Sequence, residues 1–250
     1  MRPNLAKPEP VSDAASEAWR LLLHSPAAHR GLWSVKGAPE NSLAAFAAAV
    51  DAGYAIELDV RLSADGVAMV FHDDGLERMV GRLGKLADHT AAELGAMRLK
   101  DTREPVPTLG QVLALVGGRA LIHIELKTQP GEEGPLDEAV AALVDGYPGP
   151  VAVIGFNAQS HAWWARRRPD VLRGLDSRDA HRLAEAVEIG KPHFLVLSVD
   201  MLAGEPARQA REAGFPIVAW TVRSEAQAAD IAGLCDNLIF EGFVFGGFGA

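Results

Sequence analysis

The chain has 250 residues, 48% of them hydrophobic, with a formal net charge of −9 and a single cysteine, Cys235. That length suits one α/β barrel domain spanning residues 1–250. No apolar run approaches the roughly 18 residues of a membrane helix, so stable membrane insertion is not expected. The acidic balance argues against a general nucleic-acid binder, and one cysteine with no secretory pattern points to a cytoplasmic setting.

Residues 1 to about 15 read as a loose lead-in, and about 16–23 as a short helix able to cross a barrel floor. The first strand is short and ends at His29; Gly31 permits a tight turn that leaves His29 and Arg30 at the strand terminus. Asn41 or Ser42 can cap the next helix, in which Leu43, Phe46, Ala47 and Val50 fall at helical spacing, and Gly53 stops it. Tyr54 to Val60 reads as a strand. Glu57 and Asp59, two apart, share one face while Leu58 faces away.

Ser63 to Gly66 is a turn, and Val67 to Phe71 is another strand. The link is too short for a parallel crossover. A hairpin is therefore predicted, which overshoots the rim and returns to deliver His72 to the mouth. Residues 74–107 look like a small insertion over that mouth, with a capping box at Thr90 and Glu93. A second box, Thr108 with Gln111, opens a helix through Val112, Leu113 and Val116. Leu121 to Leu126 is the strand that carries Glu125, with Lys127 just beyond. Helices at about 135–145, 158–168, 179–189, 204–213 and 224–232 then alternate with strands at about 150–155, 171–175, 193–198, 216–221 and 237–240. The pattern predicts a somewhat irregular TIM-type (β/α)8 barrel with an insertion after the third strand.

In such a barrel the strand ends meet at one mouth. His29, Arg30, Glu57, Asp59, His72, Glu125 and Lys127 would gather there. Glu57 and Asp59 sit in an otherwise apolar strand, where two like charges need a cation or strong donors between them. The blander alternative is a rim salt bridge with Arg61. Oxygen ligands without cysteine point to Mg²⁺ or Ca²⁺. Arg30 could hold two phosphate oxygens with its planar fork, Lys127 could add a point charge, and both histidines suit proton transfer near neutrality. Trp163-Trp164 with Arg166 to Arg168 reads as one buried ring beside a solvated basic end. Gly246 to Gly249 reads as a tail, and His24, His89, His123, His161, His181 and His193 lack partners at metal-ligand spacing.

The stretches "AHRGLW", "PENSLAAFAAAVDAGYAIELDVRLSADGVAMVFHDD", "VPTLGQVL" and "IHIELK", spread over residues 28–127, resemble the glycerophosphodiester phosphodiesterases. "VIGFN" and "AWTV" match more weakly and bring in Phe156 and Trp220 as substrate-binding candidates. The resemblance implies a phospholipase-C-like barrel with His29 and His72 as acid and base. It implies one divalent ion on Glu57, Asp59 and Glu125, phosphate contacts from Arg30 and Lys127, and Glu40 and Asn41 close by. Two departures stand out: Gly155 precedes Phe156 where many relatives carry serine, and the end reads Asp236 to Glu241 where relatives often read DGIITDRP. The expected reaction is hydrolysis of a small glycerophosphodiester to glycerol 3-phosphate and an alcohol. A phospholipase or lysophospholipase using the same site is the alternative, and it would need an exposed apolar rim.

Overall fold

In the computed structural model, which describes residues 5–34 and 37–246, nine strands form one sheet. They are β1 (Ala27–His29), β2 (Ala55–Leu62), β3 (Ala68–Val70), β4 (Ile122–Leu126), β5 (Val151–Gly155), β6 (Leu172–Ser177), β7 (Phe194–Ser198), β8 (Ile217–Val222) and β9 (Asn237–Phe240). Their order is β1-β9-β8-β7-β6-β5-β4-β2-β3, and β1 also pairs with β2. Every strand except β3 therefore belongs to a closed parallel ring, the predicted barrel. β3 runs antiparallel to β2, with Val60 opposite Val70 and Leu62 opposite Ala68, which is the predicted hairpin.

The helices are α1 (Ser16–His24), α2 (Leu43–Asp51), α3 (Glu77–Val80), α4 (Ala91–Ala96), α5 (Leu109–Val116), α6 (Pro135–Asp145), α7 (Ala158–Arg167), α8 (Leu183–Gly190), α9 (Glu205–Ala213) and α10 (Glu225–Asp230). Strand alternation decides which side chains meet them. Ile56, Leu58, Val60, Ile122, Ile124, Val153, Leu195 and Leu197 share one buried cluster with Phe46, Val112, Val140 and Ala210 of the helices. The alternate residues Ala27, Ala55, Ala152, Ile154, Leu172, Phe194, Val196, Val218 and Ile239 form a separate cluster with Ala18 and Leu22 of α1. The Asn237 amide donates to the Leu22 carbonyl (2.6 Å) and the Ser25 carbonyl (2.9 Å), which fastens the floor helix to β9. Gly174 makes room for Phe194, since a Cβ there would stand 2.3 Å from the ring.

Several local expectations shift. Residues 5–15 are not loose: Leu5 and Ala6 pack on the core, and the Glu9 amide donates to the Pro192 carbonyl at 3.1 Å. The first four residues of that lead-in, and Gly247 to Gly249 of the tail, lie outside the described residues. Ser42 is the cap of α2, accepting from the Ala45 amide, while Asn41 takes a left-handed φ of 57°. β6 runs on to Ser177, and α8 starts at Leu183 rather than 179. There the Ser177 hydroxyl accepts from the Asp179 amide (3.2 Å), and the Asp179 carboxylate accepts from the His181 amide (2.9 Å). Such side-chain bonds compete with helix formation. Both capping boxes are present. The insertion packs its own cluster on Met69 and Phe71, including Met79, Leu86, Leu94 and Leu99. Trp164 is buried and donates to Asp137, and Trp163 stacks with Arg167.

His161 gives a pH prediction. It is buried, its Nε2 meets the Gly155 carbonyl at 2.9 Å, and burial above all pulls its pKa down to about 4. The fold thus favours the neutral ring. Its contribution is full above the unfolded value of about 6.5 and is lost as pH falls towards about 4. His161→Leu should gain on wild type by up to about 1.4 kcal/mol per pH unit within that window. Urea unfolding at several pH values tests this, and a pH-independent difference between the two proteins would refute it.

Candidate active site

β2 brings Glu57 and Asp59 to one face, and Glu125 of β4 stands beside them because Asp59 and Glu125 are register partners. All three are buried, and one oxygen from each lies within 4.8 Å of the others. Asn41 donates to Asp59 Oδ2 (2.8 Å), and Arg30 Nε lies 3.1 Å from the same oxygen. Lys127 Nζ lies 2.7 Å from Asp59 Oδ1 and 2.6 Å from Glu125 Oε1. Glu57 Oε2 accepts from the Arg30 amide (3.1 Å), while Glu57 Oε1 is buried with no partner among the described residues.

This arrangement divides the acids. Burial opposes ionisation of Asp59, but Lys127 and then Arg30 outweigh it and hold Asp59 well below the usual carboxylate range. Burial, with Asp59 and Glu125 as like-charge neighbours, pushes Glu57 well up. Burial likewise raises Glu125 to about 7 against the pull of Lys127. The two nearby cations therefore do not satisfy three carboxylates. An all-oxygen cluster with an orphaned buried oxygen fits a divalent cation, which these residues could hold.

Each histidine is braced at Nδ1 by a carboxylate. His29 Nδ1 lies 2.6 Å from Glu241 Oε2, and its Nε2 lies 3.8 Å from Glu57. Burial opposes ionisation of Glu241, yet the His29 hydrogen bond and charge, with Arg223, pull it down to about 2. His72 Nδ1 lies 2.6 Å from Asp73 Oδ1, and Arg78 holds both Asp73 oxygens at 2.6 and 3.1 Å. Burial lowers the His72 pKa although the Asp59 charge opposes it. A carboxylate at Nδ1 orients the ring and favours the tautomer protonated there, leaving Nε2 as the nitrogen that could exchange a proton.

Arg30 and Gly31 form the turn after β1 with φ of 59° and 83°. A Cβ on Gly31 would meet the Ala45 backbone at 2.7 Å, so only glycine fits. Arg30 Nη1 donates to Glu40 (2.8 Å), and Arg78 donates to both Glu40 oxygens at 2.7 Å each. Glu40 is thus bound by both arginines. Arg61 does not form the alternative rim bridge with Glu57 or Asp59; it donates to the His72 carbonyl (2.8 Å). Phe156 and Trp220 meet edge to face at 5.5 Å, and both line a recess with His29, Glu57, Glu125 and Asp176.

Three members of this neighbourhood are not among the site residues that the sequence predicts. Glu241 and Asp176 each sit at the C-terminal end of an apolar strand, the same signal that singled out Glu125. Asp176 is buried with Oδ1 unpartnered, and burial followed by the Glu125 charge drives its pKa well up. Arg78 lies in the irregular insertion, and nothing in the sequence links it to Glu40.

A closed parallel barrel with acids, histidines and cations at its C-terminal mouth is a familiar enzyme architecture. The sequence model of the glycerophosphoryl diester phosphodiesterase family matches residues 29–240, and the chain belongs to that family. A glycerophosphodiester phosphodiesterase of Caldanaerobacter subterraneus subsp. tengcongensis is 37% identical over 125 residues, covering 45% of this chain and 51% of that one. The chain therefore spans about half the length of that relative. One from Bacillus subtilis is 26% identical over 197 residues, covering 68% and 67%. Among solved structures, a phosphodiesterase of Oleispira antarctica in complex with the product sn-glycerol-3-phosphate shares the fold with a TM-score of 0.81 at 24% identity, over 90% of this chain and 94% of that one. A glycerophosphodiester phosphodiesterase of Thermotoga maritima superposes with a TM-score of 0.69 at 28% identity, over 87% and 94%.

Proposed function

We propose that the protein hydrolyses small glycerophosphodiesters to glycerol 3-phosphate and an alcohol. The observation that carries this reading is the pair of carboxylate-braced imidazoles, His29 and His72, flanking the buried Glu57, Asp59 and Glu125 cluster. Held by those three acids, Mg²⁺ or Ca²⁺ would neutralise phosphate charge as a Lewis acid. Arg30 and Lys127 would turn from their acidic neighbours to the phosphate oxygens, with Glu40 and Arg78 keeping Arg30 in place. Phe156 and Trp220 would pack the glycerol carbons and exclude water. One imidazole Nε2 takes the proton of the nucleophile, either the glycerol 2-hydroxyl or water, and the other protonates the departing alkoxide. Attack by the 2-hydroxyl would give a cyclic phosphate that water then opens.

The exposed large apolar side chains among the described residues are Leu83, Phe156 and Val244, on three separate segments. That scatter favours a small polar substrate over a phospholipid or lysophospholipid, which would require an apolar rim. No helix among the described residues is long and apolar enough to cross a membrane.

Exhaustive EDTA treatment should abolish release of glycerol 3-phosphate from glycerophosphocholine, and Mg²⁺ or Ca²⁺ should restore it. Undiminished turnover by protein shown to be metal-free would refute the ion's part in the reading.

A further inference from the structure

A cavity of about 640 Å³ lies at the end of the barrel away from the mouth, between the N-terminal segment and the C-terminal ends of α7 and α8. Arg173, on β6, lines it and is only 2% exposed. Its Nη1 donates to the carbonyls of Val171 (3.1 Å) and Pro169 (3.5 Å), and its Nη2 to that of Lys191 (3.2 Å). Its Nε has no partner, and among the described residues no carboxylate stands in an ion pair with it. Glu9 and Asp170 attract Arg173 only at longer range, and Asp170 is itself bound by Arg168 at 2.7 Å. A buried cation with no carboxylate in direct contact is costly, and side chains in that state are normally paired. Burial draws its pKa down to about 10.

Two further cations, Arg166 and Lys191, line the same cavity from exposed positions, and neither enters an ion pair among the described residues. His193 is not a fourth. Its Nδ1 accepts from the Arg173 amide at 3.0 Å, and burial keeps the ring neutral. The rest of the wall carries two carboxylates, Glu9 and Asp170, with Ser12 and the apolar Pro10, Val11, Ala162, Ala165 and Ile189, so cations outnumber acids by three to two. We infer that this cavity is a second ligand site, separate from the catalytic mouth, for a small organic anion: a phosphate-ester or carboxylate head set against Arg166, Arg173 and Lys191, with a short apolar body along the wall. Arg173 lies near the start of β6 and Asp176 near its end, so the barrel wall separates this site from the acids of the mouth.

Titration calorimetry with hexyl phosphate tests the assignment on wild type and on Arg166→Ala/Lys191→Ala, whose altered side chains are exposed and remote from the mouth. The wild-type isotherm should contain a component that weakens on the order of tenfold in the double variant, as expected for lost charge-assisted contacts. Melting temperature and hydrolysis of glycerophosphocholine should stay unchanged. Hexanol should not produce the component. Hexanoate binding as well as hexyl phosphate would assign a carboxylate head, and weaker binding a phosphate head. Identical isotherms for the two proteins, or equal binding of hexanol, would overturn the proposal and leave Arg173 as a brace for backbone carbonyls.

Discussion

His29→Ala and His72→Ala should each lower kcat on glycerophosphocholine by roughly 10²–10⁴-fold, the usual worth of a positioned proton-transfer group. Neither change should unfold the protein. His72 is half-buried at the rim, and His29 meets carboxylates rather than the apolar core. Glu241→Gln should fall between wild type and His29→Ala. It keeps the ring's hydrogen-bond partner but removes the negative charge at Nδ1. Near wild-type turnover in His72→Ala would remove that residue from the chemistry. Near wild-type turnover in Glu241→Gln would leave the histidine's role standing and deny that its brace needs a charge.

Lys127→Met should have two effects that separate with metal content. In metal-free protein, Lys127 is the closest cation to both Asp59 and Glu125, at 2.7 and 2.6 Å. Removing one partner of a buried ion pair costs about 3–5 kcal/mol. The variant should therefore melt well below wild type in EDTA and recover part of the loss in Mg²⁺. With metal present, the lost phosphate contact should lower kcat/KM by about 2 kcal/mol, or roughly thirtyfold. Equal melting temperatures in EDTA would mean that Lys127 does not hold the acids together. An unchanged kcat/KM would mean that the phosphate is gripped elsewhere.

Much of this site was legible because β geometry is simple. Glu57 and Asp59 share a face by a period of two, and Glu125 joins them once parallel register places it beside Asp59. The hairpin followed from a link too short to cross over. What stayed hidden depends on reach. Arg78 bridges to Glu40 across 38 positions, through a long side chain on the one-turn helix α3 of the insertion. Asp176 lies past the end that the run at about 171–175 predicts for β6, whose continuation is set by pairing of Asp176 with Val196 and Ser177 with Leu197. Glu241 stands out in the sequence only within the departing segment Asp236 to Glu241, since its partner lies 212 positions away on the first strand.

That last pairing has a mechanical side. β1 is three residues long and meets β9 through only Ala27 with Ile239 and Ala28 with Phe240, whereas β2 and β4 share five register pairs. The junction of first and last staves is thus the thinnest seam in the ring. The His29–Glu241 contact spans it at the rim, while Asn237 pins α1 beneath it. The clasp that braces His29, the proposed proton-transfer group, therefore also keeps the cylinder shut. Amide hydrogens of β1 and β9 should exchange ahead of those in β4, and sooner still once the clasp is cut.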